Sequence, residues 1–210
     1  MNYEDAWARE ARAEVLKTPV LDDEELDLFR WHVGMTESLI AKLTKSATKT
    51  TARQLALRDD CAGDGWIPVD YFVKRIRYGQ IIYLVSLVET FLTKAYERLE
   101  VAVGKQTSPI RLDKFSRQNL DKRREFLERY GNFSFPAEHW QEIEKMIRIR
   151  NILVHQNGAV KQKDDKLLQE VPGAHVIDRE LVLDASYISA CSSTVGNFFR
   201  CIEAELYNAG

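Results

Sequence analysis

"EHWQEIEKMIRIRNILVHQNG", residues 138–158, is the stretch on which the reading of the chain turns. Pro136 stands before it and Gly158 closes it, the two residue types that bracket a helix. Between them Trp140, Ile143, Met146, Ile147, Leu153 and Val154 recur at helical spacing and predict one broad apolar stripe, with Arg150 near its middle. Taking a guanidinium out of water costs several kcal/mol unless it is paired and hydrogen-bonded. Arg150 therefore calls for an acidic partner or a wet cleft. His155 shares a face with Asn151 but lies ~140° around an ideal helix from Arg150. A straight helix does not aim both groups at one atom. Either the helix loosens as it nears Gly158, or the site is a cleft that two helices enclose, including helices from two subunits.

Upstream, "IIYLVSLVETFL" (81–92) lies within a helix expected from about Asp70 to Leu99. Its middle is apolar nearly all round, half a membrane span in length and broken by Glu89, which describes a buried core helix. Glu89 shares an apolar side with Ile82, Val85 and Tyr96. A Glu89–Arg150 pair would satisfy both charges, either at a working site or merely to orient two helices. Further out, the acidic start of "LDDEELDLFRWHVGMTESLIAKLTK" (21–45) suits a helix N-terminus, and Leu26, Phe29, Val33, Leu39 and Leu43 follow at helical intervals. Trp31 and Trp66 read as packing residues. Gly63, Gly65 and Pro68 break the pattern. A charged amphipathic helix spans 112–130, ended by Gly131. "HVIDRELVLD" (175–184), after Pro172-Gly173, alternates as a short strand or hairpin does, and the chain finishes on a helix with Ile188, Val195, Phe198, Phe199, Ile202 and Leu206 on its buried face. These elements make one all-α domain (67–210), with a short β-hairpin before the last helix, preceded by a helical extension (1–66).

The 210 residues are 45% hydrophobic, enough for a sizeable core, and the formal net charge of −2 does not mark a polyanion binder as a whole. The charge is uneven: acids outnumber bases over residues 1–30, and bases outnumber acids over 105–129. Cys61, Cys191 and Cys201 are too few and scattered for a disulfide framework or a metal site, and His32, His139, His155 and His175 lack ligand spacing. No metal or cofactor is expected. A charged N-terminus without a signal core, no membrane span and reduced cysteines point to the cytoplasm.

Arg150-Asn151-Ile152-Leu153-Val154-His155 resembles the R-x4-H signature, with a polar residue after the arginine, of HEPN (higher-eukaryote and prokaryote nucleotide-binding) domains. The helix "IIYLVSLVETFLTKAYERL" with its embedded Glu89 is similar to that family's earlier core helix, and "FFRCIEAEL" to its last. The resemblance covers about residues 70–208. It implies an up-and-down helical bundle that pairs as a homodimer and brings two motifs into one cleft. It also implies metal-independent endoribonuclease chemistry, commonly in toxin-antitoxin or defence systems with an antitoxin or regulatory protein as partner. Noncatalytic members bind RNA, a nucleotide or a protein instead. One toxin subgroup carries a modifiable tyrosine two residues after the histidine; here that position is Asn157, so that antitoxin mechanism is not expected.

The residues suit the implied chemistry. RNA supplies its own nucleophile in the 2′-hydroxyl, an imidazole moves protons near neutral pH, and a guanidinium binds two phosphate oxygens at once. His155 and Arg150 are the expected catalytic pair, with Asn151 orienting the histidine or holding the phosphate, and Glu89 in support. Lys122, Arg123, Arg124, Lys145 and Arg148, with Lys161 and Lys163, form a possible RNA track, or else a solvated basic face. The acidic residues 1–30 would be placed to mask such a groove.

Overall fold

The computed structural model describes residues 23–56, 69–105 and 120–207, together with Ala6, Arg9, Glu10 and Ala13. The breaks read at Gly63, Gly65 and Pro68, Trp66 and Cys61, and residues 112–119 of the basic helix, lie outside the described residues. The described part is mostly helical: α1 (Asp23–Ala56), α2 (Val69–Lys105), α3 (Leu120–Gly131), α4 (Ala137–Gln156), a 3-10 turn (Gln162–Asp164), α5 (Asp165–Gln169), strands β1 (Ala174–Ile177) and β2 (Glu180–Leu183), and α6 (Ala185–Tyr207). The chain clusters into two compact units, and α2, α4 and α6 each contribute residues to both.

One unit takes in Leu84–Ile147 and the chain from Cys191. Its core is aromatic. Phe91 meets Phe198 and Phe199 at ring-centroid distances of 6.2 and 5.0 Å, Phe135 stacks on Phe198 at 5.7 Å, and Tyr96 lies 4.8 Å from Phe126. Such offset and tilted pairs add to the large area that each ring buries. Gly131 is not the left-handed residue that ends α3; Asn132 is, at φ 53°. Gly131 is needed for space, because a Cβ there would come within 2.6 Å of the Phe133 ring.

The other unit holds Leu26–Tyr83 and Arg148–Ala190. Leu26, Phe29 and Ile40 of α1 are buried, and Phe29 stacks on Tyr83 at 5.3 Å. Leu39 and Leu43, expected on that same stripe, are instead 53% and 58% exposed, as is Trp31 at 64%. Arg77 of α2 ties the unit together: its Nε and Nη2 donate to the Glu37 carboxylate at 3.0 and 2.9 Å, and its Nη1 to the Leu183 carbonyl at 2.9 Å. The bidentate fork restrains orientation as well as distance.

The hairpin expected from the alternating pattern is present, antiparallel, with Ala174 opposite Leu183 and Ile177 opposite Glu180. Asp178 and Arg179 form its two-residue turn at φ 49° and 62°, the positive-φ pair whose twist matches the flanking strands. A β-branched residue would be strained there; Arg179 is anchored by two contacts to Asp165, at 3.0 and 3.2 Å.

Candidate functional site

The motif helix α4 stays α-helical through Gln156. Its buried positions are Trp140, Ile143, Met146, Ile149, Ile152 and Leu153, so Trp140, Ile143, Met146 and Leu153 of the expected stripe are buried and the run of three-residue steps adds Ile149 and Ile152. A three-residue step falls ~60° short of a full turn, so the buried face winds around the helix instead of running straight along it. That corrects the expected stripe. Ile149 is fully buried, Arg150 sits half-buried on the margin, and Val154 is 47% exposed, next to an exposed His155. Arg150 Nη1 donates to Asn151 Oδ1 at 3.1 Å, so Asn151 engages the arginine. Because the helix does not loosen before Asn157, Arg150 and His155 keep the ~140° separation of an ideal helix.

The turn after α4 is held from two directions. Asn157 and Gly158 adopt left-handed conformations, φ 52° and 83°, and the Gly158 N–H donates to the Ile152 carbonyl at 3.1 Å. The chain then runs against the hairpin: Leu181 N–H donates to the Gly158 carbonyl at 2.9 Å and Val160 N–H to the Arg179 carbonyl at 2.8 Å. From α2, Arg75 Nη1 donates to Asn157 Oδ1 at 2.7 Å, and the Tyr78 hydroxyl donates to the Leu181 carbonyl. A Cβ on Gly158 would stand 2.5 Å from the Tyr78 oxygen. Glycine is required here twice over, for its backbone and for its missing side chain.

Tyr71, Lys74, Arg75 and Tyr78 are spaced i, i+3, i+4, i+7 and so share one face of α2. The Arg75 guanidinium lies 5.1 Å from the Tyr71 ring centre and 5.8 Å from that of Tyr78, while Lys74 pairs with Glu180. Sequence reasoning missed this brace. The spacing was visible, but alternating cations and tyrosines read equally well as a solvated face. Asn157 is the residue that the brace holds.

Burial, reinforced by the charge of Glu180 and opposed by Arg75, pushes the Tyr78 hydroxyl up to about 12. Glu180 moves down, chiefly through its hydrogen bond from Lys74. For Tyr78 the folded-state value exceeds the unfolded one. Its contribution to stability is therefore complete below pH ~10 and lost as the pH climbs toward the folded value. Melting temperatures across that alkaline window should fall more steeply for the wild type than for Tyr78→Phe, and parallel curves would show that this hydroxyl is not held as described.

Glu89 lines an open cleft of about 560 Å³ with Ser86, Thr90, Thr93, Lys94, Leu120 and Arg123. Arg123 Nη1 donates to Thr93 Oγ1 at 2.6 Å; partial burial lowers its pKa, while Glu89 and Glu97 oppose that shift. Arg124 covers the Trp140 ring at 4.7 Å and meets Glu128 at 3.4 Å, and Lys145 is paired with Glu142 at 2.6 Å. Lys122, Arg148, Lys161 and Lys163 are exposed. Among the described residues no group of three or more His, Cys, Asp and Glu side chains is placed to hold a metal ion, and no helix is long and apolar enough to cross a membrane. No protein-family model, curated protein or solved structure matches the chain.

Proposed function

We propose that the chain is a metal-independent endoribonuclease of the HEPN type, an up-and-down helical bundle that works as a homodimer in the cytoplasm, in a toxin or defence role restrained by a partner protein. The observation that carries this reading is the placement of Arg150 and His155. The arginine is half-buried and held by Asn151, and the histidine is exposed just before a turn that α2 and the hairpin brace. In the reaction, the 2′-oxygen attacks the adjacent phosphorus, and its proton passes to the His155 imidazole. Arg150 neutralises the charge gathering on the non-bridging oxygens. The bond to the 5′-oxygen breaks and that oxygen takes up a proton, leaving a 2′,3′-cyclic phosphate and a 5′-hydroxyl. The exposed cations Arg148, Lys161 and Lys163 provide contacts for the backbone of the RNA.

The test is cleavage of RNA in the presence of a chelator by wild type and by His155→Ala, with the product ends analysed for cyclic phosphate. Equal cleavage by both proteins would reject the reading. A second reading, a noncatalytic module that binds RNA, a nucleotide or a protein, is favoured by one observation: the Arg150 guanidinium is half-buried and already engaged by Asn151. Under it Arg150→Ala costs about 1.5–3 kcal/mol of folding stability, the scale of a hydrogen bond made by a charged group, which a melting curve reads directly, and no cleavage is detected in either protein.

A further inference from the structure

Helix α1 is apolar on two separate faces. Leu26, Phe29 and Ile40 form the first and are buried. Leu28, Trp31, Met35, Leu39 and Leu43 form the second, at 64%, 64%, 48%, 53% and 58% exposure. At ~100° per residue these five fall within an arc of ~120°, whose centre lies ~130° around the helix from that of the first face. A helix that is apolar on both sides is normally covered on both. The five side chains expose on the order of 500 Å², the upper range for a patch on a monomer.

We propose that this stripe is an interface between two copies of the chain, in which α1 pairs antiparallel with its counterpart about a two-fold axis near Met35. The charges on the same helix choose that occupant and that direction. Glu24, Glu25 and Asp27 crowd its start, where Asp27 also pairs with Arg30 at 3.1 Å, Lys42 and Lys45 lie beyond its middle, and Met35 is near the centre of the exposed stripe. Turning one copy end for end brings acids of one helix to lysines of the other, and does so twice by symmetry. A parallel pair would set acid against acid. Antiparallel helices also oppose their macrodipoles. Two such stripes bury on the order of 1,000 Å² together, near the lower end for a specific interface. The pairing rests on α1 alone and holds whether or not the chain cuts RNA.

Sedimentation equilibrium on the full chain from ~1 to ~100 μM should give a dimer. Met35→Glu/Leu39→Glu should weaken association by at least ~100-fold while leaving the helical circular dichroism and melting temperature of the monomer intact. Direction is read by cross-linking under mild oxidation, scoring only bands absent from wild type. Met35→Cys should link to its own copy. Leu28→Cys and Leu43→Cys, carried on separately tagged chains, should link when mixed but not alone, a readout that does not depend on the glutamate variant folding. The proposal is overturned by a monomer at every concentration, as when another part of the chain covers the stripe. A dimer that survives the two glutamates, or self-linking of Leu28→Cys, also overturns it.

Discussion

Replacing His155 with alanine is expected to slow RNA cleavage by ~10²- to 10⁴-fold, the usual loss when a positioned proton-transfer group is removed. Arg150→Ala should cost ~10²- to 10³-fold, the scale of one donor to a charged transition state. The geometry of α4 adds a sharper expectation. On a helix that stays regular through Gln156, the two groups point ~140° apart, so a working site joins the arginine of one chain to the histidine of another. Mixing the two inactive variants should then restore up to about a quarter of wild-type activity, because half of the re-formed dimers carry one intact site of two. No recovery in the mixture, with both single variants inactive, would place both groups of a site in one chain.

Gly158→Val is expected to be the most damaging single change in the braced turn. A branched side chain at φ 83° costs ~1–2 kcal/mol in the backbone, and its Cβ would stand 2.5 Å from the Tyr78 oxygen, an overlap that forces a shift worth ~1–3 kcal/mol. The sum, about 3 kcal/mol, lowers the melting temperature of a chain this size by roughly 6–12 °C. Making Gly158→Ala in a Tyr78→Leu background separates the two contributions, since removing the ring relieves the overlap and leaves the backbone cost. If Gly158→Val melts with the wild type, the turn is not packed against Tyr78.

The local features were legible because their causes are local. Pro172-Gly173 and the alternation from His175 to Asp184 announced the hairpin, and Gly158 announced the end of the motif helix. The features that escaped depended on where the rest of the chain lies. Leu39 and Leu43 follow Leu26, Phe29 and Val33 at steps of three, four, six and four residues, yet the six-residue step turns the series ~120° around α1, and packing separates its two parts. Arg150 looked central because the stripe was read as straight; burial every third residue makes it wind, and the centre moves to Ile149. At the candidate site, Arg150 stands out within the apolar pattern, and Asn151 and His155 are singled out by the resemblance of this stretch to the R-x4-H signature. Arg75 could not be found that way, because nothing in its neighbourhood names Asn157 as its acceptor.

The bracing of the Asn157–Gly158 turn also sets an order of assembly. The hydrogen bonds that join Gly158 and Val160 to the hairpin close a short segment, whereas Arg75 reaches Asn157 across 82 residues of sequence and Tyr78 reaches Leu181 across 103. Loop-closure entropy favours the short loop, so the turn and hairpin form as a nascent substructure before α2 arrives to lock them. Amide exchange during refolding would record this as early protection at Val160 and Leu181.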